Sequence, residues 1–145
     1  MTRASLASLS TGLRCLLCVA LLAPCAAFAE DPEAVYRRFH AAMVAGDLDA
    51  MMRDMPAARH REMAQMPEKD RKTVANMFMA IMPKAITITE TTVAADGASA
   101  ALEARGEGDS LGGGTEEMTG RIHMIIEHGA WKIDTSNWKS PEKTK

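Results

Sequence analysis

The chain is 145 residues long and carries 17 basic against 19 acidic side chains, with no basic run interleaved with aromatics. That excludes the cationic surface that nucleic-acid phosphates require. All three cysteines, Cys15, Cys18 and Cys25, fall near the N-terminus, so the rest of the chain has no thiol for a disulfide, a nucleophile or a metal.

Residues 1–29 read as a secretory signal. Arg3 and Arg14 are basic, Cys15 to Leu22 is an apolar core, and Ala27-Phe28-Ala29 is a small-x-small cleavage site before Glu30-Asp31. The wholly apolar run stops at Pro24, short of the roughly 20 residues that a membrane span needs. Pro24 also argues against Cys25 as a lipid anchor. Cleavage before Glu30 removes both arginines, so the basic count falls from 17 to 15 against 19 acidic residues, a formal charge of −4. The expected address is the bacterial periplasm, with no membrane association once the signal is gone. Residues 30–139 then form one domain, and residues 140–145 a polar tail.

Four helices are expected first. Asp31 is an N-cap, Pro32 sits at the first helical position and Glu33 suits the positive end. Val35, Phe39, Ala42 and Met43 make one apolar face. Gly46 is a left-handed stop, and Asp47 caps a short helix over Leu48 to Asp54 that buries Leu48 and one of Met51 or Met52. Pro56 separates it from Ala57 to Met66. Pro67 opens a last helix that runs to about Met82 and buries Val74, Met77, Phe78 and Ile81, until Pro83 ends it.

From Lys84 the pattern becomes β. Ala85 to Val93 is β-branched, with Ile86 and Ile88 alternating against Thr87 and Thr89. Gly97 turns the chain, and Ser99 to Gly106 alternates Ala100, Leu102 and Ala104 with polar residues. Gly108 to Gly114 reads as a mobile loop. Two final strands, from near Glu116 to near Trp138, meet at a tight His128-Gly129 turn. The fold class is therefore α+β, with N-terminal helices packed on one face of a curved four-stranded antiparallel sheet. Ile86, Ile88, Ala100, Leu102, Ile122, Met124, Ile126, Trp131 and Ile133 should face the helices. Thr87, Thr89, Thr91, Arg121, His123, Ile125 and Lys132 should face away.

Two stretches carry a resemblance. Val35 to Met51, with its Gly46-Asp47 pair between a long and a short helix, resembles the opening of the nuclear-transport-factor-two-like (cystatin-like cone) superfamily. Gly129-Ala130-Trp131-Lys132-Ile133 is similar to that group's last hairpin, and small exported members of unassigned activity match best. The resemblance implies a cone with a cavity at its open end. It also implies a range of roles, from isomerases, dehydratases and cyclases to non-catalytic binding or dimerising modules.

The residues favour a binding or scaffolding domain with no catalytic set. The strand phases bring Glu90, Thr135 and Asn137 to a cavity mouth, with Tyr36 and His40 reaching it from the first helix. The ligand would be apolar or amphipathic. An alternative is a cavity enzyme of the isomerase or dehydratase type, with Glu90 or His40 as base. A second alternative is a periplasmic copper protein that uses the run Met51, Met52, Met55, His60, Met63 and Met66, whose thioethers and imidazole suit Cu(I). Adaptable core filling explains the same methionines without a metal. No cofactor is implied, because Gly112-Gly113-Gly114 lacks the strand-to-helix context of a phosphate loop, and no zinc motif occurs. His123 and His128 fall outside the cavity, on the outer face and in the turn. The outer sheet face is a candidate surface for a homodimer or another protein partner.

Overall fold

A computed structural model describes residues 30–109 and 113–140. The expected signal, the centre of the glycine-rich loop and the end of the tail lie outside the described residues. The elements are α1 (Pro32–Val44), α2 (Leu48–Arg53), α3 (Ala57–Gln65) and α4 (Glu68–Ile81), then β1 (Ala85–Val93), β2 (Ser99–Asp109), β3 (Thr115–Glu127) and β4 (Ala130–Lys139). The strands form one antiparallel meander in the order β1-β2-β3-β4. The helices cover one face of this open, curved sheet, giving an α+β cone.

The punctuation works as its chemistry requires. The Asp31 carboxylate accepts from the Glu33 N–H at 3.2 Å, and that of Asp47 from the Ala50 N–H at 2.9 Å. Gly46 has φ +69°, which an L side chain adopts only with strain. His128 and Gly129 both have positive φ, the pairing that lets a two-residue hairpin follow the strands' twist.

The core lies between α1 and the inner sheet face. Val35, Tyr36, Phe39 and Met43 from the helix meet Leu102, Ile122, Met124, Trp131 and Ile133 from the strands. Each such side chain contributes roughly 1.5–3 kcal/mol on leaving water, so this layer dominates stability. Ile86, Ile88 and Ile126 are only partly buried against it.

Three expectations need correction. First, β1 carries a register shift between Ile88 and Glu90: Ile88 pairs with Ala104, but Glu90 pairs with Glu103. The extra residue, Thr89, inverts the phase of the rest of the strand. Glu90 is exposed on the outer face, and Thr91 turns inward to donate to Glu33 Oε1 at 2.8 Å. Second, β4 has a shift opposite His123/Met124, with Asp134 as the extra residue. Ser136 and Trp138 take the inner face, opposite Ile122 and Gly120, while the side chains of Thr135 and Asn137 are exposed. Third, α4 turns a different side to the core. Met77, Phe78 and Ile81 are 65%, 44% and 61% exposed, and Met79 packs on the core instead. The run from Met77 to Met82 is apolar all round, so periodicity does not decide its inner side. In addition, β2 continues through Gly108 to Asp109 rather than breaking into loop at Gly108.

Candidate functional site

Between the helices and the end of β4 lies a cavity of about 410 Å³. Its size falls in the range of small-molecule sites. Phe39 and Met43 line it from α1, and Met51 and Met55 from α2 and the residues after it. Met63 and Met66 reach it from α3 and its C-terminal cap, three apart and so on one side of the helix. Val74 and Phe78 close it from α4, with Met82 just beyond, and Ile133 to Asn137 form the strand wall. Phe78, though exposed, thus also borders the cavity. Six thioethers share the space, and their unbranched, polarizable chains adapt to an occupant more readily than branched ones.

The strand wall is a sheet edge. The Ile133 N–H donates outward to the Asp54 carbonyl at 2.8 Å, and Lys132 Nζ donates to the Arg53 carbonyl at 2.6 Å. These two bonds hang the end of α2 on β4. Asp54 is buried, and Arg38 holds its carboxylate with a two-point fork, Nε at 3.0 Å and Nη2 at 2.7 Å. The remaining Arg38 nitrogen binds Glu30 at 2.7 and 2.8 Å. Hydrogen bonds to Asp54 first, and to Glu30 second, raise the Arg38 pKa above its ordinary value.

Charge is sparse on the wall. Arg59 and Glu62 sit there as an ion pair at 2.8 Å, and Asp134 bonds His123 Nδ1 at 3.1 Å. A hydrogen-bonded chain stands at the inner end: Trp138 Nε1–H donates to Tyr36 Oη at 3.2 Å, and Tyr36 Oη lies 3.0 Å from Ser136 Oγ. Burial raises the Tyr36 pKa, more than the bonds to Ser136 and Trp138 lower it, so the phenol is protonated at neutral pH.

The five sequence-derived candidates are thus dispersed. Thr135 and Asn137 are on the cavity wall, through the edge of β4 rather than through an inward phase. Tyr36 is fully buried behind the wall and reaches the cavity through Ser136. His40 is buried, its Nε2–H donating to the Pro83 carbonyl at 2.8 Å, and does not line the cavity. Burial lowers its pKa, against an opposing contribution from the Pro83 bond. Glu90 is on the opposite face of the sheet. His60 is exposed and off the wall, so the methionine run does not bring its imidazole to the thioethers. Among the described residues, no three His, Cys, Asp or Glu side chains converge as a metal site. Reading the sequence alone misses Ser136. Its signal is the apolar parity of β4, which is odd at Trp131 and Ile133 but even at Trp138 and so demands one extra residue between them.

No family model and no curated protein matches the chain. Among solved structures, the chain is similar to a SEC-C motif-containing protein from Rhodopseudomonas palustris, with TM-score 0.52 and 16% identity over 73% of this chain and 77% of that one. An epoxide hydrolase/cyclase-like enzyme of pyran ring formation in the polyether salinomycin superposes with TM-score 0.49 and 12% identity, over 77% of this chain and 91% of that one. A putative calcium/calmodulin-dependent protein kinase II association domain from Xanthomonas campestris gives TM-score 0.47 and 14% identity, over 77% and 86%. At 16% identity the likeness to the first of these is one of fold alone.

Proposed function

We propose that the chain is an exported, non-catalytic binding domain of the nuclear-transport-factor-two-like cone group, which holds a small apolar or amphipathic molecule in its methionine-lined cavity. The observation that carries this reading is the wall itself: thioethers, aromatic rings and aliphatic chains from every helix and from β4 enclose one space, with a single ion pair from α3 on it. Export rests on the signal-like composition of residues 1–29. The two groups considered as bases support binding over chemistry, since Glu90 is across the sheet and the Nε2–H of His40 is committed to Pro83.

A neutral environment-sensitive dye, N-phenyl-1-naphthylamine, tests the cavity. Its fluorescence should rise saturably with one site per chain. Val74→Trp, which fills the space from the α4 side, should abolish that rise while leaving the circular dichroism spectrum unchanged. A linear, unsaturable response in the unmodified protein would remove the proposal.

A further inference from the structure

The hydrogen-bonded chain at the inner end of the cavity has a direction, and the direction can be worked out from the donors available. An indole N–H can only donate, so Tyr36 Oη accepts from Trp138. Tyr36 is 0% exposed, and among the described residues its hydroxyl meets no side chain but Trp138 and Ser136. Its own hydrogen therefore has one acceptor, Ser136 Oγ. With that lone pair taken, Ser136 keeps a hydroxyl hydrogen to give away, and no described protein group receives it. Ser136 lies on the cavity wall and also borders the neighbouring hollow beside Met118 and Ser140. The Asp134 bulge is what puts it there, since regular pairing straight through Asp134 would give Thr135 and Asn137 the inward phase.

We propose that Ser136 is the group that selects the ligand, and that the cavity takes a neutral amphiphile whose apolar body lies along the methionines and whose carbonyl or ether oxygen accepts from Ser136. The proposal rests on the cavity being a binding site. Each bond in the Trp138–Tyr36–Ser136 chain polarises the next, which strengthens the terminal donor. A ligand without an acceptor covers that donor without pairing it, and a site built around a donor rejects such a ligand more firmly than an all-apolar site does. A neutral acceptor fits better than a carboxylate. The wall carries Asp134 and Glu62, and Arg59, its only cation among the described residues, is already bound to Glu62 at 2.8 Å.

The test compares 2-octanone with 1-octene, a ketone and a hydrocarbon of the same chain length. Each is titrated into the purified protein and followed by amide and indole proton–nitrogen NMR. The ketone should bind about tenfold more tightly, the ratio that one neutral hydrogen bond supports. It should also shift the Trp138 Nε1–H resonance, which the alkene leaves in place. Ser136→Ala should bring the two affinities together, and Ser136→Thr, which keeps a hydroxyl, should restore the preference. Equal affinities in the unmodified protein would overturn the selecting role while leaving the cavity intact. A ketone preference that persists in Ser136→Ala would overturn it as well. Binding of neither compound would overturn the cavity reading and this proposal together. If Ser136→Ala fails to fold, the unmodified protein and Ser136→Thr still decide through the ketone-to-alkene ratio and the Trp138 resonance.

Discussion

A methyl added at Gly120 would lie 2.7 Å from the Trp138 ring, and one at Gly106 would lie 2.6 Å from the Pro83 ring and 2.8 Å from the Ala85 carbonyl. Both glycines are on the inner face, where a missing side chain is a seat for a bulky neighbour rather than a weak point in the strand. The seat at Gly120 has the further effect of setting the height of the indole, and hence whether Nε1–H reaches Tyr36. Gly120→Ala should therefore lift the ring, break the 3.2 Å bond and destabilise the fold by about 1–3 kcal/mol, the range for overpacking a filled site. Urea unfolding followed by tryptophan emission would measure both effects, because Trp138 is one of two indoles in the chain.

Among elements, the joint between α1 and α2 depends most on one side chain. Arg38 comes from the flank of α1 and closes on Asp54 at the end of α2, whose backbone carbonyl in turn receives β4. Arg38→Ala leaves a buried carboxylate without its partner and should cost about 1–3 kcal/mol in chemical denaturation. Arg38→Lys should recover only part of that loss, since an ammonium cannot reproduce the two-point fork. This joint is not visible in the sequence, where Arg38 is one of several helix-surface cations. The elements themselves are legible, because Pro, Gly and Asp mark their ends and because a period of two sets in sharply after Pro83. Phase within elements is harder to read. Ile86 and Ile88 are even-numbered and Val93 is odd, and the same change occurs between Ile133 and Trp138. Each parity change encodes a bulge, and extending the alternation straight through it smooths the bulge away. That error moves Glu90, Thr135 and Asn137 into the inward phase. The inner side of α4 is obscured for another reason. Six consecutive apolar residues, Met77 to Met82, give no contrast between sides, and the decision falls to Met79, whose sulfur fits under Gly46.

For the molecule as a whole, the exposed ion pairs on the outer sheet face, Arg121 with Glu103 at 2.8 Å and Arg105 with Glu117 at 3.6 Å, are solvated and contribute little. The dependence of stability on pH instead runs through His40. Burial lowers its pKa from the ordinary 6.5 in the folded state, so below that value the unfolded chain binds the proton more readily than the folded one. The stabilisation is full above about pH 6.5 and declines as the pH falls through the window between 6.5 and the lower folded pKa. The thermal midpoint should be lower at pH 5 than at pH 7.5, and His40→Gln, which keeps a donor for the Pro83 carbonyl without titrating, should narrow that gap. An unchanged gap in the variant would show that other groups set it.

The extra residue in β4 also bears on how such a cavity changes over generations. A substitution alters one position of a wall at a time, and each step must pass the packing constraints of the core behind it. Straightening the bulge, so that Asp134 pairs with β3 instead of standing extra, would act on the whole tip of the strand at once, turning Thr135 and Asn137 to the inner face in place of Ser136 and Trp138 while leaving the pairing of Trp131 and Ile133 with β3 in place. A change that tips the local balance between bulged and regular pairing at this point is thus an inheritable switch between two inner faces, available without rebuilding the hydrophobic layer that holds the cone together.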